Sequence, residues 1–242
     1  MEYTEFKALF CISLQQNHLE MFDEKKIETF YRFTEHLMEV NAVTNLTAIR
    51  NIPDVISKHL VDSLLAAKYL PEGARVLDLG CGPGFPSIPL AILRPDLKLV
   101  ALDSTAKKIS FVQECIDLLD LTNLTAIAGR AEDRVLSAKL GTFDVVVSRA
   151  VAKMSILGEL CLPYVRVGGF LLALKAAKAE DELAEAKNAI RVLGGGKTLL
   201  HQTQLIIQDG SSESRCLIEV PKANCTPSTY PRAYAVILKK PL

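Results

Sequence analysis

The sequence predicts an α/β protein: a doubly wound, Rossmann-like, mainly parallel sheet of seven strands behind a helical N-terminal extension. Three observations predict it. From Ala74 onward, short apolar runs alternate with longer amphipathic ones, the order produced when parallel strands are joined by crossover helices. The short runs are nearly continuous in Val, Leu and Ile, as strands covered on both faces are. The last two runs are separated only by the turn-like DGSSES, and a link that short favours an antiparallel hairpin at a sheet edge.

The elements follow in order. Residues 1 to about 70 read as helical, with Phe30, Phe33, Leu37 and Val40 recurring at the spacing of one helix face. A second helix fits residues 55–70, with Pro53 and Asp54 at its start and Pro71 just beyond its end. Between the two, NAVTNLTAIRN is rich in Asn and Thr and suits a turn. ARVLDL, LKLVALD, NLTAIA, FDVVVS and GFLLALK supply five strands, with helical stretches between them such as 106–119 and 154–165. A helix over about 180–193 stops at Gly194-Gly195-Gly196, and strand-like runs follow over 198–207 and 215–220. The expected division is a helical extension over 1–70, an α/β domain over 71–221 and a basic tail over 222–242.

The bulk properties exclude several classes. Hydrophobic residues make up 49% of the 242 residues and charged residues 23%, which suits a globular core and argues against disorder. A net charge of zero counts against a protein that coats DNA without discrimination. It leaves room for a monomeric enzyme with one local basic surface. The acidic start MEYTEFKALF lacks the order of a signal peptide, and no apolar run approaches the roughly 18 residues of a membrane span. Cys11, Cys81, Cys115, Cys161, Cys216 and Cys225 are scattered without a C-x-x-C pair. Reduced thiols in cytoplasm are therefore expected. His18, His36, His59 and His201 are isolated, so no metal site is expected.

The chemistry is carried by one loop. ARVLDL runs into Gly80-Cys81-Gly82-Pro83-Gly84-Phe85, and a helix follows from Ser87. Glycines at such a turn bring a ligand against the main chain, where a side chain would block it. A dinucleotide fingerprint, G-x-G-x-x-G, requires glycine where Phe85 stands, which disfavours an oxidoreductase. Asp78 is expected to face a cationic ligand end, and it would repel a pyrophosphate. The next strand ends in Asp103, 19 residues after Gly84, where a carboxylate accepts hydrogen bonds from ribose hydroxyls. Gly129-Arg130-Ala131-Glu132-Asp133 follows the third strand and suits an adenine edge. These features at successive strand ends point to S-adenosylmethionine. Five parallel strands and a hairpin are the layout of a class I methyltransferase.

VLDLGCGPGFPSIPLAI, LDSTAKKISFV, GRAED, FDVVVSRAVA and GGFLLALK closely resemble the bacterial ribosomal RNA small-subunit methyltransferase G family, also called glucose-inhibited division protein B. NLTA, KHLVDSL and YPR match it too, so the resemblance runs from about residue 30 to the C-terminus. It implies S-adenosylmethionine-dependent methylation of guanine N7 in the decoding-region loop of 16S ribosomal RNA, on naked RNA or on the small subunit. It also carries over Gly80, Phe85, Ala131, Glu132 and Arg149 as cofactor positions, with Asp103 and Ser104 beside the ribose. Ser87 departs from the glycine that members often have there.

N7 bears a lone pair and no proton, so an in-line displacement needs no general base. The chain accordingly shows no obvious catalytic dyad, no D-P-P-Y motif and no Pro-Cys nucleophile. No catalytic residue is assigned; Arg149, after the fourth strand, is the best candidate for positioning substrate, through a cofactor carboxylate, a phosphate or guanine O6. Lys175 and Lys178 are candidates for phosphate contacts. Arg232 is a third, in a segment that also holds Lys222, Lys239, Lys240, Tyr230 and Tyr234. Lys107 and Lys108 read as surface charges, and His59 as a packed or hydrogen-bonded residue. The N-terminal helices are expected to cap the fold and shape the RNA entrance. Two rival readings are a small-molecule or protein methyltransferase and a non-catalytic ribosome-binding protein that uses the cofactor as a ligand.

Overall fold

In the first helix, α1 (Tyr3–Gln16), Phe6, Phe10 and Leu14 recur every fourth residue and all three are buried, which makes one apolar stripe. The second, α2 (Glu24–Thr44), begins where the Asp23 carboxylate accepts the Lys26 amide, and ends at Asn45 in the left-handed region. Its buried Phe30 and Phe33 extend the stripe. The Phe10 and Phe30 ring centroids are 5.0 Å apart. Phe33 reaches forward to Phe85 at 5.4 Å and Phe111 at 6.5 Å. The N-terminal helices thus share a core with the sheet layer. The computed structural model describes residues 1–176 and 179–242.

The Asn- and Thr-rich turn is pinned by Asn41, which donates to the Ile49 carbonyl and accepts from the Thr47 amide. After it come α3 (Ile52–Val55), a π-helical stretch (Ile56–Val61), α4 (Asp62–Leu64) and a single 3₁₀ turn (Ala67–Tyr69). The sequence predicts one regular helix over 55–70; the structure instead changes register within it. Apolar periodicity resolves helical type poorly over so few residues, and single π turns tend to occur at functional sites. Here the carbonyl of Lys58, inside the π stretch, accepts a guanidinium hydrogen from Arg149.

The sheet is built from β1 (Arg75–Leu79), β2 (Lys98–Asp103), β3 (Leu124–Ala128), β4 (Phe143–Arg149), β5 (Val165–Lys175), β6 (Leu199–Ile206) and β7 (Ser212–Pro221). The connecting helices are α5 (Ser87–Leu93), α6 (Ala106–Leu119), α7 (Arg134–Leu140), α8 (Met154–Cys161) and α9 (Ala179–Val192), with α10 (Tyr234–Lys239) near the end. Strand order is β3-β2-β1-β4-β5-β7-β6, with β1 to β5 parallel and β7 antiparallel to both neighbours. Side chains alternate between two cores. Val76, Val145, Val147 and Leu172 face the layer of α1, α2, α5 and α6, whereas Leu77, Val146, Leu171 and Ile218 face the layer of α8, α9 and α10.

Order reverses between β1 and β4, whose chains leave toward opposite halves of the sheet. A crevice opens outside the carboxyl ends of the strands at such a point. The segment after β7 packs back on the molecule. Lys222 is buried and donates to the carbonyls of Leu162 and Leu193 and to Thr226, and burial lowers its ammonium pKa to about 8. Arg232 forks onto the buried Glu159 carboxylate at 2.8 and 2.6 Å.

Phe33→Ala is expected to lower stability by about 3–5 kcal/mol, the usual cost of emptying a buried phenylalanine site. Urea unfolding measures this; a loss below about 1 kcal/mol would show that α2 is not held to the sheet layer through this ring.

Candidate functional site

The loop after β1 turns on glycines. Gly80 has φ of +77°, and a Cβ there would lie 2.3 Å from Cγ2 of Val151. Gly82 has φ of +57° and open space where a Cβ would project. The first therefore serves close packing and the second leaves backbone open to a ligand. Gly84 packs on Ile88 instead of lining the cavity. The loop is tied to β2 twice: the Gly80 amide donates to the Leu102 carbonyl at 2.7 Å, and the Gly82 amide to Asp103 Oδ2 at 3.0 Å.

Asp78 is not where the sequence reading puts it. Side chains alternate along β1, so Asp78 shares the face of Val76 and points toward α5, beneath the loop. Its Oδ2 accepts the Ser87 amide at 2.9 Å at the start of that helix, and it does not line the cavity. Asp78 Oδ1 and Ser87 Oγ are both buried without a hydrogen-bond partner among the described residues. Full burial raises the Asp78 pKa to about 7, against the pull of its hydrogen bond with Ser87 and of the nearby Arg149 charge.

Along the carboxyl ends of the strands lies a cavity of about 520 Å³, within the ~300–1,000 Å³ typical of small-molecule sites. Gly80, Gly82 and Phe85 line it from the loop, Asp103 and Ser104 from the end of β2, Ala131 and Glu132 from beyond β3, and Arg149 from the end of β4. The Asp103 carboxylate accepts the Gly82 amide on one oxygen and the Thr105 amide on the other, leaving a lone pair on each for a ligand hydroxyl. The Ala131 carbonyl is held by the Tyr164 hydroxyl at 2.9 Å, and Glu132 lies 3.4 Å from Arg130. An anion receptor, a hydroxyl acceptor and a glycine backbone in one cavity of this size suit a ligand with a carboxylate, a ribose and a purine.

The opposite wall comes from the N-terminal segment. Leu46, Thr47 and His59 line the cavity there. The His59 ring stacks on Phe85 with centroids 4.4 Å apart and planes 17° from parallel. Its Nδ1 is 3.1 Å from Arg149 Nη2, and its Nε2 is 2.8 Å from Thr47 Oγ1. A guanidinium only donates, so Nδ1 is the acceptor and Nε2 carries the proton. Burial, with the Arg149 charge, lowers the His59 pKa to about 3, so the ring is neutral. Packing and hydrogen bonding, the roles read for His59 in the sequence, are both present, but at the cavity itself. Lys108, read from the sequence as a surface charge, also lines it, as does Tyr234 from the C-terminal segment named as an RNA-binding candidate.

The remaining candidate cations are placed otherwise. Lys175 is largely buried and donates to Glu182 at 2.8 Å and to the Ala152 carbonyl. It braces the loop after β4 and does not line the cavity. Arg232 is committed to Glu159, on α8. Lys178 lies outside the described residues. Among the described residues, no helix is long and apolar enough to cross a membrane.

A family model described as rRNA small subunit methyltransferase G matches residues 26–207. Ribosomal RNA small subunit methyltransferase G of Clostridium kluyveri is 38% identical over 247 residues, covering 100% of both chains. That of Lactobacillus acidophilus is 42% identical, covering 96% of this chain and 98% of its own. That of Brevibacillus brevis is also 42% identical, covering 100% and 98%. Among solved structures, an O-methyltransferase from Bacillus cereus in complex with SAH superposes with a TM-score of 0.57 at 16% identity, over 91% of this chain and 100% of that one. Precorrin-6y C5,15-methyltransferase from Geobacter metallireducens gives 0.51 at 16%, over 75% and 92%. These two establish the fold alone: a class I methyltransferase sheet.

The two shifted groups make opposite demands on pH. Asp78 binds its proton more tightly when folded, so its contribution to stability is complete at acid pH and is lost as pH rises through about 7. His59 binds its proton more weakly when folded, so its contribution is complete above the ordinary histidine pKa and is lost as pH falls toward about 3. Asp78→Asn removes the first titration only. The melting temperature of Asp78→Asn minus that of the natural protein should therefore be several degrees larger at about pH 8 than at about pH 5, given ~2–4 °C per kcal/mol for a chain of this size. A difference independent of pH in thermal melts would show that Asp78 is ionised throughout.

Proposed function

As the chain belongs to the rRNA small subunit methyltransferase G family, and is thus an S-adenosylmethionine-dependent methyltransferase of small-subunit rRNA, we propose that it methylates N7 of a guanine in the decoding-region loop of 16S rRNA. The observation that carries this reading is the cavity at the strand-order reversal, where a hydroxyl acceptor, a glycine backbone and a guanidinium meet. When bound there, S-adenosylmethionine supplies a methyl group on a positively charged sulfur.

The roles of the chain's own residues follow from their free hydrogen-bonding capacity. Asp103 takes the ribose hydroxyls on its two remaining lone pairs. Backbone at Gly82 lets the ligand lie close to the main chain, and Ala131 with Glu132 faces the adenine edge. Arg149 receives the carboxylate of the methionine portion or orients the guanine. Lys175 and Arg232 support RNA binding by holding the loop after β4 and the C-terminal segment in place.

Guanine N7 carries its own lone pair and no proton, so it would receive the methyl group that bound S-adenosylmethionine supplies without prior activation. No proton leaves, so no base is called for. His59 fits that scheme: it sits in the cavity wall with both ring nitrogens engaged, and so acts by packing and not as a proton acceptor. The rate enhancement then rests on orientation and on excluding water.

Two measurements test the reading. Asp103→Ala should weaken S-adenosylhomocysteine binding by at least about tenfold in calorimetry, a loss of ~1.4 kcal/mol; unchanged affinity would remove Asp103 from the ligand. Mass spectrometry of 16S rRNA from cells lacking the protein should show loss of N7-methylguanosine from the decoding-region loop. Persistence of that nucleoside at full level would overturn the substrate assignment.

A further inference from the structure

Arg149 enters the cavity wall already held. A guanidinium carries five N–H donors. Both hydrogens on Nη1 are used, by the Lys58 carbonyl at 2.9 Å and by Asp62 Oδ2 at 3.0 Å. One hydrogen on Nη2 goes to His59 Nδ1 at 3.1 Å. Among the described residues that leaves Nε–H and one Nη2–H for a ligand, donors suited to a carboxylate, a phosphate or guanine O6. The direction in which those two donors point is set by the three that are fixed.

Of the three fixing contacts, Asp62 is the charged one, and it is shared. Its Oδ1 accepts Arg215 Nε, from β7, at 2.7 Å. The side chains of Arg149, Asp62 and Arg215 are 13%, 10% and 16% exposed, so one carboxylate separates two guanidiniums in a setting mostly closed to water. Arg215 has further partners in Glu213 and the Ser214 carbonyl. Among the described residues, Arg149 has no other carboxylate as a hydrogen-bond partner. Removing the Asp62 charge leaves two cations facing each other across a neutral group, and repulsion then moves the less anchored one. Arg149, beside a cavity it can swing into, is that one.

We propose that Asp62 is a positioning residue for methyl transfer: it fixes the Arg149 guanidinium so that its free donor pair faces the cavity, and thereby sets affinity for the cofactor. The proposal rests on the reading above in which Arg149 receives the carboxylate of the cofactor's methionine portion. Asp62 does not line the cavity; it acts through Arg149.

The test is a double-mutant cycle on the full chain, with S-adenosylhomocysteine affinity read by calorimetry and KM and kcat read on small-subunit rRNA. Asp62→Asn should weaken S-adenosylhomocysteine binding about tenfold and raise KM for S-adenosylmethionine in step. In an Arg149→Met background the same change should have no further effect, because the group it positions is gone. Arg215→Gln, which leaves the Asp62–Arg149 pair whole, should change affinity by less than about threefold. Equal losses from Asp62→Asn in both backgrounds, or an equal loss from Arg215→Gln, would mean that Asp62 serves packing only, and would overturn the proposal. If Asp62→Asn does not fold, Asp62→Glu takes its place in the cycle, with the charge kept but displaced by one methylene. If Arg149→Met binds and methylates like the natural protein, the Arg149 reading itself fails. If Arg149→Met is impaired and Asp62→Asn is not, only the role of Asp62 fails.

Discussion

Parallel strands cannot be joined by tight turns, so each crossover must leave the sheet, pass through a helix and return. Between β1 and β4 the two crossovers leave in opposite directions, toward β2 on one side and β5 on the other. Among the described residues, no connection spans that gap at the carboxyl ends. The cavity is the space this leaves, and the loop glycines, Asp103 and Arg149 converge there because each stands at or just beyond the end of a strand that borders it. Closure from above comes from the N-terminal helices, through Phe33 on Phe85 and His59 on Phe85. One ring, Phe85, therefore carries contact between the glycine loop, α2 and the π-helical stretch.

Several ionisable groups are buried in the molecule, and most are matched. Glu159 takes Arg232, Asp62 takes Arg149 and Arg215, and Lys222 is ringed by two carbonyls and a hydroxyl. A buried charge without such partners costs several kcal/mol. Asp78 follows the other course open to a buried carboxyl and raises its pKa. Its neighbour Ser87 adds a second buried oxygen without a hydrogen-bond partner among the described residues. The glycine loop is thus underlain by a carboxyl with a raised pKa, whereas the Arg149 guanidinium in the cavity wall above it is held by Asp62.

How much of this was readable in the sequence depended on the range of the interaction. The strands, the helix at Ser87 and the hairpin were legible because hydrophobic period and turn residues are local signals. So was the glycine loop, since a positive φ at Gly80 and Gly82 restricts the residue type at the position itself. Partners were not legible. Arg232 and Glu159 are 73 residues apart, and Arg149 and Asp62 are 87 apart; each looks like a solvent-facing charge when read alone. The same limit explains Lys175, whose ammonium is taken up by Glu182 and a loop carbonyl. Asp78 was misdirected for a subtler reason: its position along β1 was right, but strand alternation sends its side chain to the α5 face.

The sequence by itself determined the architecture, the strand ends that carry the candidate groups, and the cofactor class, because alternation, turn chemistry and motif spacing act over a few residues. Tertiary structure alone decided which of those groups face the cavity and in what state. It turned Asp78 under the loop, brought His59 and Thr47 into the wall as a neutral, fully bonded pair, and left Arg149 with two donors free. Those outcomes depend on which distant side chain completes each hydrogen bond and how much water remains around it, and neither quantity exists until the sheet and the N-terminal helices have closed on each other.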